Sequence, residues 1–428
     1  MPTQLFPPIL RNNFRQTTFS LAIAFAVSIL TAPPGLAQTY GVLHNFTDGS
    51  DGSRPTAGVT LQGTSNLFGG AGRVALYRAR QMGGGSTLSP IFDFDDTNGL
   101  FPAGRVTFGP GGALYGAAGS GGLPECTDGA GCGLIYSMRP PPSVCQSVSC
   151  PWTEAILYEF DPQHRVDGYY PTGGLVFDAA GNMYGTTGFG GFFGGGTAFE
   201  LSPSQGGWTE NILHHFGQQQ SDGDTPNGHL IFDTAGDLIG TTETGGTNSG
   251  CFNGNCGVVF ELTHTGSGWT ENILHTFDRA TDGGSPAGGL VSDSAGNLFG
   301  VTGEGGANGG GTVYELTPSN GGYTFQVLYA FAGIAGSVGL EGLLAIDSAG
   351  NLYGAGGQGP SGHGLVFKLT PANGGWTFTD LHDFTGNDGN LPFDGPTLDG
   401  SGNLYGTTYY GGTGPCSGGC GVLYKITP

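Results

Sequence analysis

Hydrophobic positions in this chain fall in short runs that alternate with polar ones, and each run stops at a cluster of Gly, Asp, Asn or Pro. Alternation at period two predicts half-buried strands joined by tight turns. Beyond the N-terminal leader no stretch repeats its apolar positions with a helical period. The order of the runs itself recurs. Residues 208–263 read W-T-E-N-I-L-H-H-F, then D-G-D-T-P-N-G-H-L-I-F-D-T-A-G-D-L-I-G-T-T, then C-G-V-V-F-E-L-T, and residues 269–318 repeat the series. Aligned on L-x-x-F, the copies place Phe46, Phe94, Phe160, Phe216, Phe277, Phe331 and Phe384 at intervals of 48 to 66 residues. In the fifth copy the predicted strands are Trp269–Phe277, Gly289–Asp293, Leu298–Thr302 and Thr312–Thr317, with a turn over 293–297. Seven tandem units of four strands predict an all-β fold, a seven-bladed β-propeller with four antiparallel strands per blade. A β-solenoid, the rival, has much shorter coils.

The segment G-G-L-V-F-D-A-A-G-N-M-Y-G-T-T at 173–187 resembles the inner hairpin of NHL-type propeller blades. The complete unit, with W-T-E-x-x-L-[HY]-x-F and G-T-x-[FY]-E-L-[ST]-P, more closely resembles the GloVer repeat of exported bacterial proteins, over nearly all of residues 38–428. Copies 3, 4, 5 and 7 are sharp, whereas copy 1 (Gly58–Arg80) and copy 2 (Gly104–Met138) are degraded. The resemblance implies export and a propeller-like domain, and no particular chemistry. Family members often carry a sorting tail after the repeats. This chain ends in strand at Ile426-Thr427-Pro428, so the resemblance does not extend to surface anchoring. By the NHL analogy, G-L-V-F-D is the innermost strand and W-T-E-x-x-L-x-x-F the outermost. The mature chain then starts with an outermost strand, Tyr40–Phe46, and ends after a third strand, Val422–Thr427. Pairing of the two would close the last blade and remove open edges.

The leader has its own logic. Arg11 and Arg15 precede an apolar run from Phe19 to Leu30, followed by Pro33, Pro34 and Gly35. This order reads as a secretory signal peptide, residues 1–37, cleaved after Ala37. The run falls short of the ~20 residues a spanning helix needs. What remains, residues 38–428, is expected to be a single propeller domain that is secreted, extracellular or periplasmic, or held at the cell surface. Removal of two arginines moves the formal charge from −21 to −23. So acidic a surface argues against nucleic acid and anionic lipid as partners. The expected product is a monomer with no membrane insertion after cleavage. The eight cysteines form four close pairs: Cys126 and Cys132, Cys145 and Cys150, Cys251 and Cys256, Cys416 and Cys420. An even count in an exported chain reads as disulfides, and no His sits at ligand spacing to favour metal.

Candidate chemistry is sparse. Trp152, Trp208, Trp269 and Trp376 share one repeat position, which points to packing between blades rather than sugar stacking. His44, His214, His275 and His382 share another, and Glu200, Glu261 and Glu315 a third. Such equivalents do not build one active site. Asp-Gly-x-x-Pro recurs at Asp51, Asp167, Asp222, Asp282 and Asp388, with Asn98 in copy 2, and reads as a turn. A ring of single carboxylates for Ca²⁺ is the sharper alternative, but Ca²⁺ wants six to eight oxygens in one site. No cofactor is expected. Departures from the repeat carry more information. Where Gly58, Gly174, Gly289 and Gly395 open the inner strands, copies 2 and 4 have Arg105 and His229. Asn227, Glu341, Phe393 and Asp394 lie nearby. These six are the predicted ligand-binding residues, placed at the mouth of the central channel, with neutral drift as the alternative. No nucleophile elbow, zinc-protease motif or P-loop is present. The leading expectation is a non-catalytic module binding a glycan or protein. A hydrolase or lyase at the channel mouth and a structural envelope protein are the alternatives.

Overall fold

The computed structural model describes residues 38–427 apart from 74, 83–84, 124–125, 127–130, 142–151, 162–165, 220, 252–253, 267, 334–339, 341 and 357–358. The expected signal peptide, the Cys145–Cys150 pair and Glu341 lie outside the described residues. Seven antiparallel sheets of four or five strands form the blades, and a two-stranded hairpin, Ser249–Cys251 with Gly254–Asn255, is added in a loop of the fourth. Blade 3 shows the plan. Its innermost strand is Gly168–Pro171 continued by Val176–Phe177; then come Met183–Gly190, Thr197–Ser204 and the outermost strand Gly207–His215. Blades 1 and 2 are complete despite their degraded repeats. Blade 1 comprises Thr60–Gln62, Asn66–Ala71, Ala75–Met82 and Gly85–Asp93. Blade 2 comprises Leu100–Phe108, Leu114–Ser120, Leu134–Arg139 and Thr153–Glu159. Alternation survives there although the repeat's letters do not. Leu67, Tyr77 and Ala79 of blade 1 are fully buried, as are Leu114, Ile135 and Tyr136 of blade 2. The sole helical turn among the described residues is Pro110–Gly112.

The last blade closes as the strand phase requires. Thr39–Asn45 is its outermost strand and pairs antiparallel with Val422–Thr427, Thr39 facing Thr427 and Asn45 facing Val422. The core lies between blades. Each of seven apolar clusters is shared by two neighbouring sheets. The phenylalanines that end the outermost strands are all buried in it. Each tryptophan meets, edge-on, an aromatic ring on the second strand of the preceding blade: Trp152 meets Phe68, Trp208 Tyr115, Trp269 Tyr184 and Trp376 Phe299, at 5.7 to 6.5 Å. Offset aromatic pairs of this kind add about 0.5–1.5 kcal/mol beyond the area they bury.

One expectation needs correction. Asp-Gly-x-x-Pro is more than a turn. Its Gly-x-x-Pro is the first half of the innermost strand, as in Gly168–Pro171, Gly223–Pro226 and the start of Gly284–Ser292. Glycines break the alternation mid-strand, so the sequence pattern starts the strand too late. Gly174, Gly289 and their equivalents therefore sit at a break within the innermost strand rather than at its entry. In blade 5 the register shifts there, between Ala287 and Val291.

Candidate functional site

The structure brings Arg105, Asp394 and His229 together. Arg105 donates from Nε to Asp394 Oδ2 at 2.7 Å and from Nη2 to Oδ1 at 3.0 Å. Its Nη1 reaches Thr397 Oγ1 at 2.8 Å and Nη2 the Gly395 carbonyl at 2.5 Å. Asp394 also accepts from the backbone N–H groups of Gly58 at 2.7 Å, Leu343 at 2.9 Å and Gly395 at 2.7 Å. One carboxylate thus joins the innermost strand of blade 2 to the segments that lead into the innermost strands of blades 1, 6 and 7. Gly58 makes room for it, since a Cβ there would lie 2.8 Å from Asp394 Oδ2. Burial pushes the Asp394 carboxyl up, but the Arg105 guanidinium, His229 and the Gly58 amide outweigh it and hold it below the usual range. The His229 ring packs on Gly174 and is pushed down to about 4 by burial, with Arg105 adding and Asp394 opposing. It is therefore neutral at physiological pH. Asn227 lies two residues before His229 and is half-buried. The Phe393 ring meets Tyr409 edge-on at 5.0 Å. Arg105 and Asp394 satisfy each other, bidentate and about nine-tenths buried.

The recurring histidines and aspartates, separate items in the sequence, prove to be partners. His44 bonds Asp51 at 2.8 Å, His214 Asp222 at 3.3 Å, His275 Asp282 at 2.7 Å and His382 Asp388 at 3.0 Å. Each pair latches the end of one outermost strand to the loop entering the next blade. In blade 2 Tyr158 takes the histidine's place and bonds Asp167 at 3.1 Å. The recurring short spacing of six to nine residues between the two was the signal available in the sequence. The third residue of W-T-E then lies against the latch of the preceding blade. It is aromatic in three blades: Phe325 stacks on His275 at 3.9 Å, Phe378 on Tyr329 at 4.6 Å and Tyr40 on His382 at 3.6 Å. In blades 2, 3 and 4 it is a glutamate: Glu154, Glu210 and Glu271. Glu210 accepts from Tyr158 at 2.8 Å, and Glu271 approaches His214 at 3.7 Å. Burial, with Asp167 beside it, pushes Glu210 up to about 8. Burial, with Asp222 beside it, pushes Glu271 up to about 9. Glu210 lines a groove of about 720 Å³ together with Tyr158, Asp167, Leu123 and Val166.

A second feature was invisible to pattern reading. Arg54, Phe101, Tyr170, Thr225, Ser285 and Leu391 each precede a proline that lies in or leads into an innermost strand, and each has a φ between 50° and 61°. Their backbone N–H groups donate to the carbonyls of Cys420, Arg73, Cys132, Gly195, Cys256 and His363, each in the preceding blade, at 2.7 to 3.0 Å. The left-handed conformation costs an L-residue roughly 1–2 kcal/mol. It is kept in six blades for the inter-blade bond, while no two of the six side chains are alike. The result is a collar around the channel mouth with constant backbone and variable chemistry. Phe101 and Tyr170 are 40% and 43% exposed. The Phe189 ring lies 6.1 Å from that of Tyr170 and is 42% exposed, and Phe192 and Phe193, further along the same hairpin, are 64% and 49% exposed, with Phe192 edge-on to His215 at 4.7 Å. Arg73 lies 5.0 Å over the Phe101 ring and Arg54 5.2 Å over Tyr410. Disulfides Cys126–Cys132, Cys251–Cys256 and Cys416–Cys420 staple three of the loops on this face. They fit an oxidising compartment.

The profile described as the Gloeobacter/Verrucomicrobia repeat matches residues 127–355, more than half of the chain. This chain belongs to the Gloeobacter/Verrucomicrobia repeat family. No curated protein matches the sequence. Among solved structures, it resembles the extracellular domain of a proposed hybrid two-component system from B. thetaiotaomicron, with 11% identity, 91% of this chain and 42% of that one covered, and a TM-score of 0.54. It is also similar to a puromycin-hydrolyzing peptidase of Mycobacterium tuberculosis, with 10% identity, coverages of 85% and 51%, and a TM-score of 0.48. A gluconolactonase of Xanthomonas campestris matches at 13% identity over 76% and 96% of the two chains, with a TM-score of 0.38. At these identities the likeness concerns the fold alone. In this member of the Gloeobacter/Verrucomicrobia repeat family, the repeated letters build latches and blade packing. The chemistry free to differ lies in the collar and the loops beside it.

Proposed function

We propose that this protein is an exported, non-catalytic binding module whose ligand is a glycan docked on the collar face between blades 2 and 3. The exposed rings of Phe101, Tyr170, Phe189, Phe192 and Phe193 support the reading. Aromatic side chains with this much free surface, on loops held by disulfides and inter-blade bonds, are a preformed platform. A sugar ring offers such a platform an apolar C–H face, and its hydroxyl rim suits the backbone carbonyls of the glycine-rich loops. A leader removed at Ala37 would deliver the protein to the compartment where its disulfides persist. A glycan array probed with the purified protein and with Tyr170→Ala/Phe192→Ala/Phe193→Ala tests it. Selective binding lost in the triple variant is the expected result. No glycan bound by either protein would sink the reading and leave a protein ligand for the same face.

A second reading, a hydrolase or lyase, has one observation in its favour. Glu210 is pushed up to about 8 in a groove it shares with Asp167 and Tyr158, and a carboxyl group that keeps its proton near neutral pH suits general-acid work. Turnover of a glycoside or polysaccharide panel abolished by Glu210→Gln would establish it. Turnover unaffected by that change would remove it.

A further inference from the structure

We propose that His214, Asp222 and Glu271 form a binding site for a divalent metal of the Zn²⁺ class, at the seam of blades 3 and 4. Their ligand atoms all lie within 4.8 Å of one another. His214 Nε2 is 3.3 Å from Asp222 Oδ1 and 3.7 Å from Glu271 Oε2. Tetrahedral Zn²⁺ holds nitrogen and oxygen ligands at about 2.0–2.2 Å, which sets neighbouring ligand atoms roughly 3.2–3.6 Å apart. The three side chains therefore need little movement to close on an ion.

Two further observations separate this cluster from a run of surface acids. The first is the seating of the side chains. Asp222 is 2% exposed and is fixed through its other oxygen by the Gln218 N–H at 2.9 Å. His214 and Glu271 keep 17% and 12% of their surface, so solutes reach the cluster. Glu271 Oε1 is buried and has no hydrogen-bond partner among the described residues. A buried polar atom normally has a partner, and a cation held by the cluster would supply one. The second is an internal comparison. The latches His275–Asp282 and His382–Asp388 have the same two groups, but an aromatic ring covers each histidine: Phe325 on one and Tyr40 on the other. At Glu210 the carboxylate is present but Tyr158 replaces the histidine. Among the described residues, blades 3 and 4 alone assemble imidazole and two carboxylates at one latch. A mixed nitrogen and oxygen set of three suits Zn²⁺, whereas Ca²⁺ takes six to eight oxygens. Three protein ligands also leave one tetrahedral position for water or a ligand group.

Calorimetric titration of the chelator-stripped protein with ZnCl₂, and separately with CaCl₂, tests the site. The expected result is one Zn²⁺ bound per chain and no Ca²⁺ heat. Glu271→Gln should weaken Zn²⁺ by at least about 100-fold, the upper end of what even an outer-shell change costs. His275→Gln, which alters a latch with no third ligand, should leave Zn²⁺ binding unchanged. Circular dichroism melting of both variants in chelator checks that they are folded, and glutamine keeps the shape of Glu271. Zn²⁺ should raise the melting temperature of the native chain and of His275→Gln, but not that of Glu271→Gln. Equal Zn²⁺ affinity in the native chain and Glu271→Gln would overturn the proposal. So would the absence of a stoichiometric site, or Ca²⁺ binding without Zn²⁺ binding.

Discussion

Asp394 shows how much one side chain can hold when strands converge on an axis. It takes five hydrogen bonds, two from Arg105 and three from backbone amides, across four blades. Removing one partner of a buried ion pair leaves an uncompensated charge, which typically costs about 3–5 kcal/mol. Arg105→Met should therefore lower stability to urea by that amount. Arg105→Met/Asp394→Leu should lose clearly less than the two single changes combined. Strict additivity in a double-mutant cycle would show that the pair is not coupled. Glu210 supplies a second expectation. Its folded value lies above the unfolded one, because burial and then Asp167 disfavour its charge. The contribution is fully present below pH ~4.5 and is lost as pH rises towards 8, with a slope of about 1.4 kcal/mol per pH unit for one proton. Urea midpoints measured in chelator between pH 5 and 9 should fall, and Glu210→Gln should flatten that fall. An unchanged slope in the variant would assign the titration elsewhere. Arg105, His229 and Asp394 were legible in the sequence as breaks in a repeat. That they answer one another was not, because partners 289 residues apart leave no local pattern.

The innermost strand is where element and conformation conflict. A strand wants extended backbone, yet the residue before its proline is left-handed in six blades, with Tyr170 at φ 61°. The bond from its N–H to the preceding blade explains why the conformation persists. Glycine adopts it without the Cβ penalty. Tyr170→Gly should therefore gain about 1 kcal/mol in chemical denaturation, since the ring it removes is nearly half exposed. The same change should weaken glycan binding at the collar. Destabilisation by Tyr170→Gly would mean that the tyrosine ring, rather than the backbone, secures this position. Strand number and the outermost strands follow directly from alternation and from L-x-x-F. The first half of the innermost strand does not, because Gly-x-x-Pro reads as turn chemistry. Only pairing with the second strand, Gly168 opposite Gly190 and Pro171 opposite Thr187, makes it a strand.

Closure belongs to the molecule as a whole. No blade buries its apolar faces alone, since every core cluster is shared by two neighbours, including the cluster between blades 7 and 1. That cluster contains Phe46 and Leu43 from the N-terminal strand, together with Tyr405 and Leu423 from the end of the chain and Leu67 and Tyr77 from blade 1. The ring is thus held shut by a strand contributed from the far end of the sequence, a contact visible beforehand because the chain starts and stops out of phase with its repeat. Deleting residues 38–46 removes that strand and exposes the edge of Val422–Thr427 to pairing with other molecules. Burial of Phe46 is complete, and loss of a buried phenylalanine alone costs about 3–5 kcal/mol. The shortened protein should melt well below the native one and self-associate on a sizing column with light scattering. Phe46→Ala should lose stability by the same 3–5 kcal/mol yet stay monomeric, because its backbone strand remains in place. Self-association in the deletion but not in Phe46→Ala would assign the role to edge pairing. Equal self-association in both would assign it to the apolar cluster, and a monomeric deletion with a native melting curve would show that the ring does not depend on this strand.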